Sequence, residues 1–154
     1  LGALMPDPPI DKLLLIVVGS HPRAEVADRP VAYDLGHRME QWLGAHAEAD
    51  PPDLQPLVLS DVWYLNHAEL HRRPALSLGG PEVNALSAYF YPRLPRTLEV
   101  EQRLVIQVDP QWLDLRAAVW GADGPQTRAA VDLFRQRYME DYLQACAARL
   151  PAGD

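Results

Sequence analysis

The sequence predicts a single α/β domain over residues 1–154, a three-layer sandwich whose helices cover both faces of an open, mostly parallel sheet of about five strands. Three observations support this. The segment at residues 12–18, apolar without a break from residue 13, is typical of a strand buried on both faces. Strand-like and helix-like segments alternate along the chain, which favours parallel strands joined by right-handed crossovers. The 154 residues, 48% of them apolar and 23% charged, have the size and balance of one globular domain.

The first unit of the chain is a strand followed by a helix, after an extended lead at residues 1–11. The strand at residues 12–18 ends at a Gly-Ser pair, and apolar residues then recur at helical spacing over residues 30–47. Asp28 is expected to cap this helix, with Pro30 in its first turn. The helix should pack back on the sheet.

The rest of the chain continues the alternation and then changes. Further strands are predicted at residues 56–59, 74–78, 103–108 and 115–121. Further helices are predicted at residues 62–71, 82–93 and 125–150, the first of them capped by Ser60 or Asp61. The last two strands are separated only by residues 109–114, too few for a crossover helix, so they should be antiparallel neighbours at one edge of the sheet. The expected topology is Rossmann-like or flavodoxin-like.

Composition argues against several classes of partner. A formal net charge of -7 without a basic cluster opposes binding to nucleic acid, which depends on Lys and Arg neutralising phosphates. The longest apolar run, residues 13–18, is too short to cross a bilayer, so no membrane association is expected. The single cysteine, Cys146, falls on the apolar stripe of the last predicted helix, which indicates a buried thiol and fits a reducing cytoplasm.

The turns that follow the parallel strands are where a ligand is expected, because the carboxyl ends of such strands form a crevice at one edge of the sheet. Each turn contains glycine or begins a helix whose free amides attract an anion, so a small polar or anionic ligand is predicted. The same residue types also make turns for geometry alone. No dinucleotide or phosphate-loop motif is present, so no cofactor is evident. The candidate ligand-binding residues are Gly19, Ser20, His21, Arg23, Asp61, Gly79, Gly80, Asn84, Asp123, Gly124 and Thr127.

An enzyme is the second hypothesis for the same edge of the sheet. Ser20, His21 and Asp61 are a nucleophile, a base and an orienting carboxylate, the residue types of a hydrolase or transferase. This hypothesis requires His21 and Asp61 to lie within hydrogen-bond reach of each other, directly or through one water. The Gly-x-Ser-x-Gly motif of the α/β hydrolases is absent.

A metal site is a weaker candidate. His67 and His71 are four residues apart and would share one face of a helix, as two metal ligands require. A third ligand would have to come from Asp61 or His21, and the two arginines that follow His71 oppose a bound cation. A solvated polar helix face explains the pair more simply, and no metal is predicted.

The third hypothesis is a structural or assembly module. The aromatic residues around Tyr89–Tyr91, or the antiparallel edge strand, would then be the partner surface, and the sequence leaves a homo-oligomer open.

Two stretches carry a family resemblance. Residues 76–84, Leu-Ser-Leu-Gly-Gly-Pro-Glu-Val-Asn, and residues 119–130, which include Gly-Ala-Asp and Thr-Arg-Ala-Ala, each read as a strand, a turn and a helix start. In this order they resemble the C-terminal domains of archaeal surface-layer-like proteins. The resemblance implies a shared turn architecture, and not a surface-layer role. It applies to Gly79, Gly80, Asn84, Gly121 and Thr127.

Overall fold

A computed structural model of the protein describes residues 9–46, 53–101 and 103–149. Residues 1–8 of the expected lead lie outside the described residues, and Ile10–Lys12 form a short 3-10 helix rather than extended chain. The strands are β1 (Leu13–Val18), β2 (Gln55–Ser60), β3 (Ala75–Leu78), β4 (Leu98–Val100), β5 (Leu104–Gln107) and β6 (Arg116–Gly121). They form one six-stranded sheet in the order β2-β1-β3-β6-β5-β4.

The parallel part of the sheet agrees with the prediction. β1 pairs in parallel with both β2 and β3, with Leu15 opposite Leu57 on one side and Ala75 on the other. β3 in turn pairs in parallel with β6. β1 is buried along its whole length because it is interior to the sheet and covered on both faces, which explains its continuous apolar sequence. The turns after β1, β2, β3 and β6 therefore share one rim.

The antiparallel part of the sheet is larger than predicted. β5 and β6 are antiparallel neighbours, as the short connection between them requires. However, β5 is not the edge strand, because β4 pairs antiparallel with its other side and takes the edge. β4 has only three residues, two of them exposed, so it carries neither an apolar run nor a clear alternation that would reveal it in the sequence.

Helices cover both faces of the sheet, which confirms the three layers. They are α1 (Pro22–His46), α2 (Asp61–Leu65), α3 (Ala85–Phe90), α4 (Gly124–Arg137) and α5 (Met139–Ala148), with a 3-10 helix at Ala68–Arg72. One face of β1 packs with α1, α4 and α5 in a core that includes Ile16, Met39 and Phe134. The opposite face packs with α2 and α3 in a second core that includes Leu15 and Phe90. Alternate residues of β1 supply the two cores.

Several predicted helix boundaries were wrong. α1 begins at Pro22, which takes the first-turn position that the sequence had assigned to Pro30. Pro30 is therefore inside the helix, and Asp28 is a buried helical residue rather than a cap. The helix predicted at residues 125–150 is divided at Tyr138, whose backbone leaves the helical region and separates α4 from α5.

Two shorter helices also differ from prediction. The segment at residues 62–71 forms α2 and then the 3-10 helix at Ala68–Arg72 instead of one continuous helix. The helix predicted at residues 82–93 is limited to α3, because Asn84 caps it from a non-helical position. Cys146 is buried in the core, as its place on the apolar stripe predicted. Among the described residues, no helix has the length and apolarity that a membrane crossing requires.

Candidate functional site

A pocket of about 850 Å³ lies at the carboxyl ends of β1, β3 and β6. Its walls are the first turns of α1, the turn after β3, and the segment that joins β6 to α4. After β1 the chain runs to β2 on one side, whereas β3 lies on the other side of β1, so the order of the strands reverses here. This is the place where open α/β sheets bind their ligands.

Asp28 is the most unusual group in this pocket. Its side chain lines the pocket, although the residue is only 4% exposed. Among the described residues it has neither a hydrogen-bond partner nor an ion-pair partner within 4.0 Å. Burial raises the pKa of Asp28 to about 6, and the nearby positive charge of Arg23 opposes part of that rise. Buried carboxylates are normally paired, so this one is available to a ligand.

The turn after β3 makes room for the Asp28 carboxylate. Gly79 has a φ of +104°, a conformation that favours glycine. A Cβ built on Gly79 would lie 2.5 Å from Oδ2 of Asp28, inside van der Waals contact. Gly79 is therefore required both by the turn and by the position of the carboxylate.

Two aromatic residues form another part of the lining. The rings of Tyr91 and Trp120 meet edge to face, with their centroids 5.7 Å apart. The indole Nε1 of Trp120 is buried and has no hydrogen-bond partner among the described residues. A Cβ on Gly80 would lie 3.5 Å from a carbon of the Trp120 ring, so the glycine leaves this ring uncovered by a side chain. Trp120 thus lines the pocket, while its indole nitrogen is buried away from solvent.

The charges around the pocket are mostly negative. Of the described residues that line it, four are acidic and one, the exposed Arg23, is basic. The acidic residues are Asp28, Glu82, Glu99 and Asp123. Glu99 has a partner in Arg96 at 3.7 Å, which lies outside the lining.

The helix starts at this edge are capped by the protein's own side chains. At the start of α4, Asp123 accepts a hydrogen bond from the amide of Gln126 at 2.9 Å, and Pro125 has no amide hydrogen to offer. At the start of α3, Asn84 Oδ1 accepts hydrogen bonds from the amides of Leu86 and Ser87.

The remaining helix starts are occupied in the same way. Asp61 Oδ1 accepts a hydrogen bond from the amide of Val62, and its Oδ2 accepts one from the amide of Ala85. The ring of His21 accepts a hydrogen bond at Nδ1 from the amide of Arg23 in the first turn of α1. These helix-start amides, which were predicted to bind an anionic ligand, already have hydrogen-bond partners within the protein.

The arrangement that a catalytic triad requires is absent. Ser20 Oγ donates directly to Asp61 Oδ1 at 2.6 Å, and His21 is turned to the Arg23 amide instead. Among the described residues no hydrogen bond joins His21 to Asp61, so no imidazole stands between the hydroxyl and the carboxylate. His21 and Asp61 bond to amides at helix starts, and Ser20 bonds to Asp61.

The two histidines considered as candidate metal ligands are each bonded to a backbone carbonyl. His67 precedes the 3-10 helix, and its Nδ1 is bonded to the carbonyl of Trp63 at 2.7 Å. His71 Nε2 is bonded to the carbonyl of Tyr64 at 2.9 Å. The part of the chain that the structure describes contains no group of three or more His, Cys, Asp or Glu residues placed to hold a metal.

Other predicted ligand residues maintain the shape of the edge. Asn84 Nδ2 donates to the carbonyls of Val17 and Leu78, so one side chain joins the ends of β1 and β3 to the start of α3. A Cβ on Gly19 would lie 1.8 Å from the Val83 carbonyl oxygen, so the two backbones approach too closely for a side chain. Thr127 Oγ1 accepts a hydrogen bond from the amide of Gly121 at 3.0 Å.

Part of the predicted set of ligand-binding residues therefore lines the pocket, together with residues that were not predicted from the sequence. The predicted residues that line the pocket are Arg23, Gly80, Asp123, Gly124 and Thr127. Asp28, Tyr91 and Trp120 were missed. A signal for Asp28 existed, because it lies at helical spacing with Ala24, Val31 and Leu35, all of them buried, and a carboxylate on an apolar stripe is unusual.

Comparison with models of known protein families finds no match, and comparison with curated proteins finds no significantly similar sequence. The function is therefore argued from the pocket itself. The resemblance to surface-layer-like domains stays a prediction.

Proposed function

We propose that this domain binds a small polar ligand in the pocket beside Gly80, and that Asp28 is the group that holds it. The observation that carries the proposal is a carboxylate that is 4% exposed, lines a pocket of about 850 Å³, and has no partner among the described residues. Such a group is largely removed from water on folding, and a ligand in the pocket would give it the partner that it lacks among the described residues.

Two further observations support a ligand of modest size and polar character. The volume is in the range of sites that take drug-sized molecules, which are usually concave and mostly apolar with a few polar groups. The lining carries the Asp28 carboxylate and three further acidic residues, all of them hydrogen-bond acceptors. A ligand that satisfies these acceptors must itself be polar.

Binding without catalysis fits the site better than hydrolysis or group transfer. The Ser20, His21 and Asp61 side chains are engaged at helix starts, and none of the three lines the pocket. No second carboxylate, histidine or nucleophile among the described residues is hydrogen-bonded to Asp28, as a general acid–base pair would require.

The proposal is tested by screening a library of small ligands for thermal shift, first on the unaltered protein. A compound present at about ten times its Kd adds about 1.4 kcal/mol of stability, which raises the Tm by about 3–6 °C in a domain of this size. The same hits should lose their effect on the Asp28→Asn variant. Asp34→Asn is the matched control, because Asp34 lies on the same helix but is exposed and paired with Arg38.

The site of each hit is then located by NMR. The indole N–H resonance of Trp120 reports on a residue that lines the pocket, and the Trp120→Phe variant assigns it among the four tryptophans. The library should include cations, anions and neutral polar compounds. If none of them moves this resonance or raises the Tm, the proposal is contradicted.

An assembly role is the second candidate, and one observation favours it. β4 occupies the edge of the sheet, its outer side has no strand partner among the described residues, and Val100 on it is exposed. Light scattering at rising protein concentration tests this role, and a monomer throughout would remove it.

A further inference from the structure

Several helix-start amides at the rim of the pocket are bonded to the protein's own side chains. Four helix starts meet at this edge of the sheet, and side chains of Asp123, Asn84, Asp61 and His21 bond to amides in them. An anion would have to displace these internal hydrogen bonds before it could use a helix N-terminus. The usual reason for an anion to bind at such an edge is therefore weakened.

The fixed charges favour a cation. Asp28 stands at the wall of the pocket without a counter-ion within 4.0 Å, and Glu82 and Asp123 make no ion pair among the described residues. Arg23 is the single basic residue of the described lining, and it is exposed, so water screens part of its charge. A positive group beside Asp28 would acquire both a hydrogen-bond acceptor and a favourable potential.

The protonation state of the Asp28 carboxyl agrees with a positively charged ligand. Its pKa of about 6 leaves it ionised at neutral pH, so it accepts hydrogen bonds and does not donate them. The charged groups around it are Arg23 on its own helix, Glu82 in the turn after β3, and Asp123 at the start of α4.

The remainder of the lining is suited to the body of such a ligand. Val26, Ala27 and Val83 provide aliphatic surface, and the Trp120 ring has no side chain over it at Gly80. Aromatic rings attract cations at their faces, and aromatic residues next to carboxylates are the usual surroundings of a bound organic ammonium group.

We infer that the ligand is an organic amine: a protonated amino group that donates to the Asp28 carboxylate, attached to an apolar or aromatic body that packs near Trp120. This inference rests on the proposed function and narrows it to one chemical class.

Three probes with the same ring and different head groups test the inference on the unaltered protein. They are 2-phenylethylamine, 2-phenylethanol and 3-phenylpropionate, titrated to millimolar concentration while the Trp120 indole resonance is followed. We expect the amine to bind at least about tenfold more tightly than the alcohol or the carboxylate, because only the amine forms a charge-assisted hydrogen bond with Asp28. Asp28→Asn should abolish that preference, and Asp34→Asn should preserve it.

The outcomes separate the two proposals. If the alcohol or the carboxylate moves the Trp120 resonance at equal or lower concentration than the amine, the amine inference is overturned and the polar-ligand function stands. If the amine has no effect, the inference is likewise overturned, and the wider library decides whether the pocket binds anything. The comparison of the three probes needs no variant, so a folding defect in Asp28→Asn cannot obscure it.

Discussion

Asp28 shows how one residue can be unfavourable for folding and favourable for binding. An ionised carboxylate that leaves water without finding a partner destabilises the folded state. The surrounding structure nonetheless makes space for it, since Gly79 removes the side chain that would collide with Oδ2. Residues that lower the stability of the folded protein are expected at functional sites, where they are positioned to bind a ligand.

The stability of the protein should therefore depend on pH through Asp28. Its pKa in the folded protein is about 6, above the ordinary value of 3.8, so between these values the folded state binds more protons than the unfolded chain. The contribution of Asp28 to stability is consequently greatest below about pH 4 and is lost as the pH rises through 6. We expect Asp28→Asn, which carries no charge, to be more stable than the unaltered protein at pH values above 6, by roughly 1–3 kcal/mol.

Urea unfolding of both proteins across this pH range is the measurement. The gain should shrink as the pH falls below 6, whereas Asp34→Asn should show no comparable gain at any pH. A destabilised Asp28→Asn above pH 6 would mean that the carboxylate has a stabilising partner after all.

Asn84 is the residue on which the shape of the edge depends most. It is 1% exposed and makes four hydrogen bonds, two to the carbonyls at the ends of β1 and β3 and two to amides of α3. We expect Asn84→Ala to lower the free energy of unfolding by about 2–4 kcal/mol, because it removes a helix cap and leaves buried carbonyls unpaired.

Chemical denaturation measures this loss, and Asn66→Ala is its control. Asn66 also donates to a backbone carbonyl, that of Val62, but it is exposed, so water replaces the lost bond. Its effect should stay below about 1 kcal/mol. Equal losses in the two variants would contradict the role assigned to Asn84.

At the scale of whole elements, the sequence predicted what its periodicity and spacing determine. The apolar run of β1 required burial on both faces, and the short connection before β6 required an antiparallel pair. The start of α1 could not be predicted from the sequence, because Pro22 and Pro30 each suit a first helical turn and only tertiary packing selects the earlier one. The burial of Asp28 was missed for that reason.

The candidate site was predictable in position but not in detail. The rim follows from the parallel order of the strands, which the sequence indicates. Which polar residues on the rim are free does not follow, because Ser, Asp and Asn cap helices as readily as they bind ligands. Asp61 and Asp123 have the same residue type, yet Asp61 caps helix starts away from the pocket and Asp123 lines it.

Pro30 within α1 leads to a prediction for this element. Having no amide hydrogen, Pro30 cannot donate to the Val26 carbonyl four residues earlier, so the helix lacks one of its internal bonds. Pro30 is exposed, and alanine there restores the bond without loss of core packing. We expect Pro30→Ala to raise the free energy of unfolding by about 1–3 kcal/mol in a urea titration.

Pro22→Ala is the matched control for the helix. Pro22 is the first residue of α1, where an amide has no acceptor within the helix, so its replacement should give no such gain. If Pro30→Ala is neutral or destabilising while Pro22→Ala is stabilising, the helix does not begin at Pro22.

For the molecule as a whole, two cores on opposite faces of one sheet share the interior strand β1. β1 contributes Ile16 to one core and Leu15 to the other, so neither core can be disrupted without displacing the strand that supports the other. We therefore expect the described domain to unfold in one cooperative transition, as small single domains usually do.

Cys146 provides a test of this cooperativity, because it is the single cysteine of the sequence and is 1% exposed within the core between α5 and the sheet. Burial raises the pKa of its thiol to about 12, and the thiolate is the form that reacts with alkylating reagents. We expect iodoacetamide to modify Cys146 at least about a thousandfold more slowly than free cysteine under native conditions. The rate should rise with urea in parallel with global unfolding.

Mass spectrometry of the alkylated protein gives this rate, and Ala148→Cys supplies an exposed thiol on the same helix that should react rapidly without urea. A Cys146 rate that is slow but independent of urea would show that α5 opens locally before the sheet unfolds. In that case the α5 face and the β1 core would be separate folding units, and stability changes at Asp28 or Asn84 would leave the labelling of Cys146 unaffected. If unfolding is cooperative, Asn84→Ala must accelerate the labelling of Cys146 in proportion to its lost stability, although Asn84 belongs to the opposite face of the sheet.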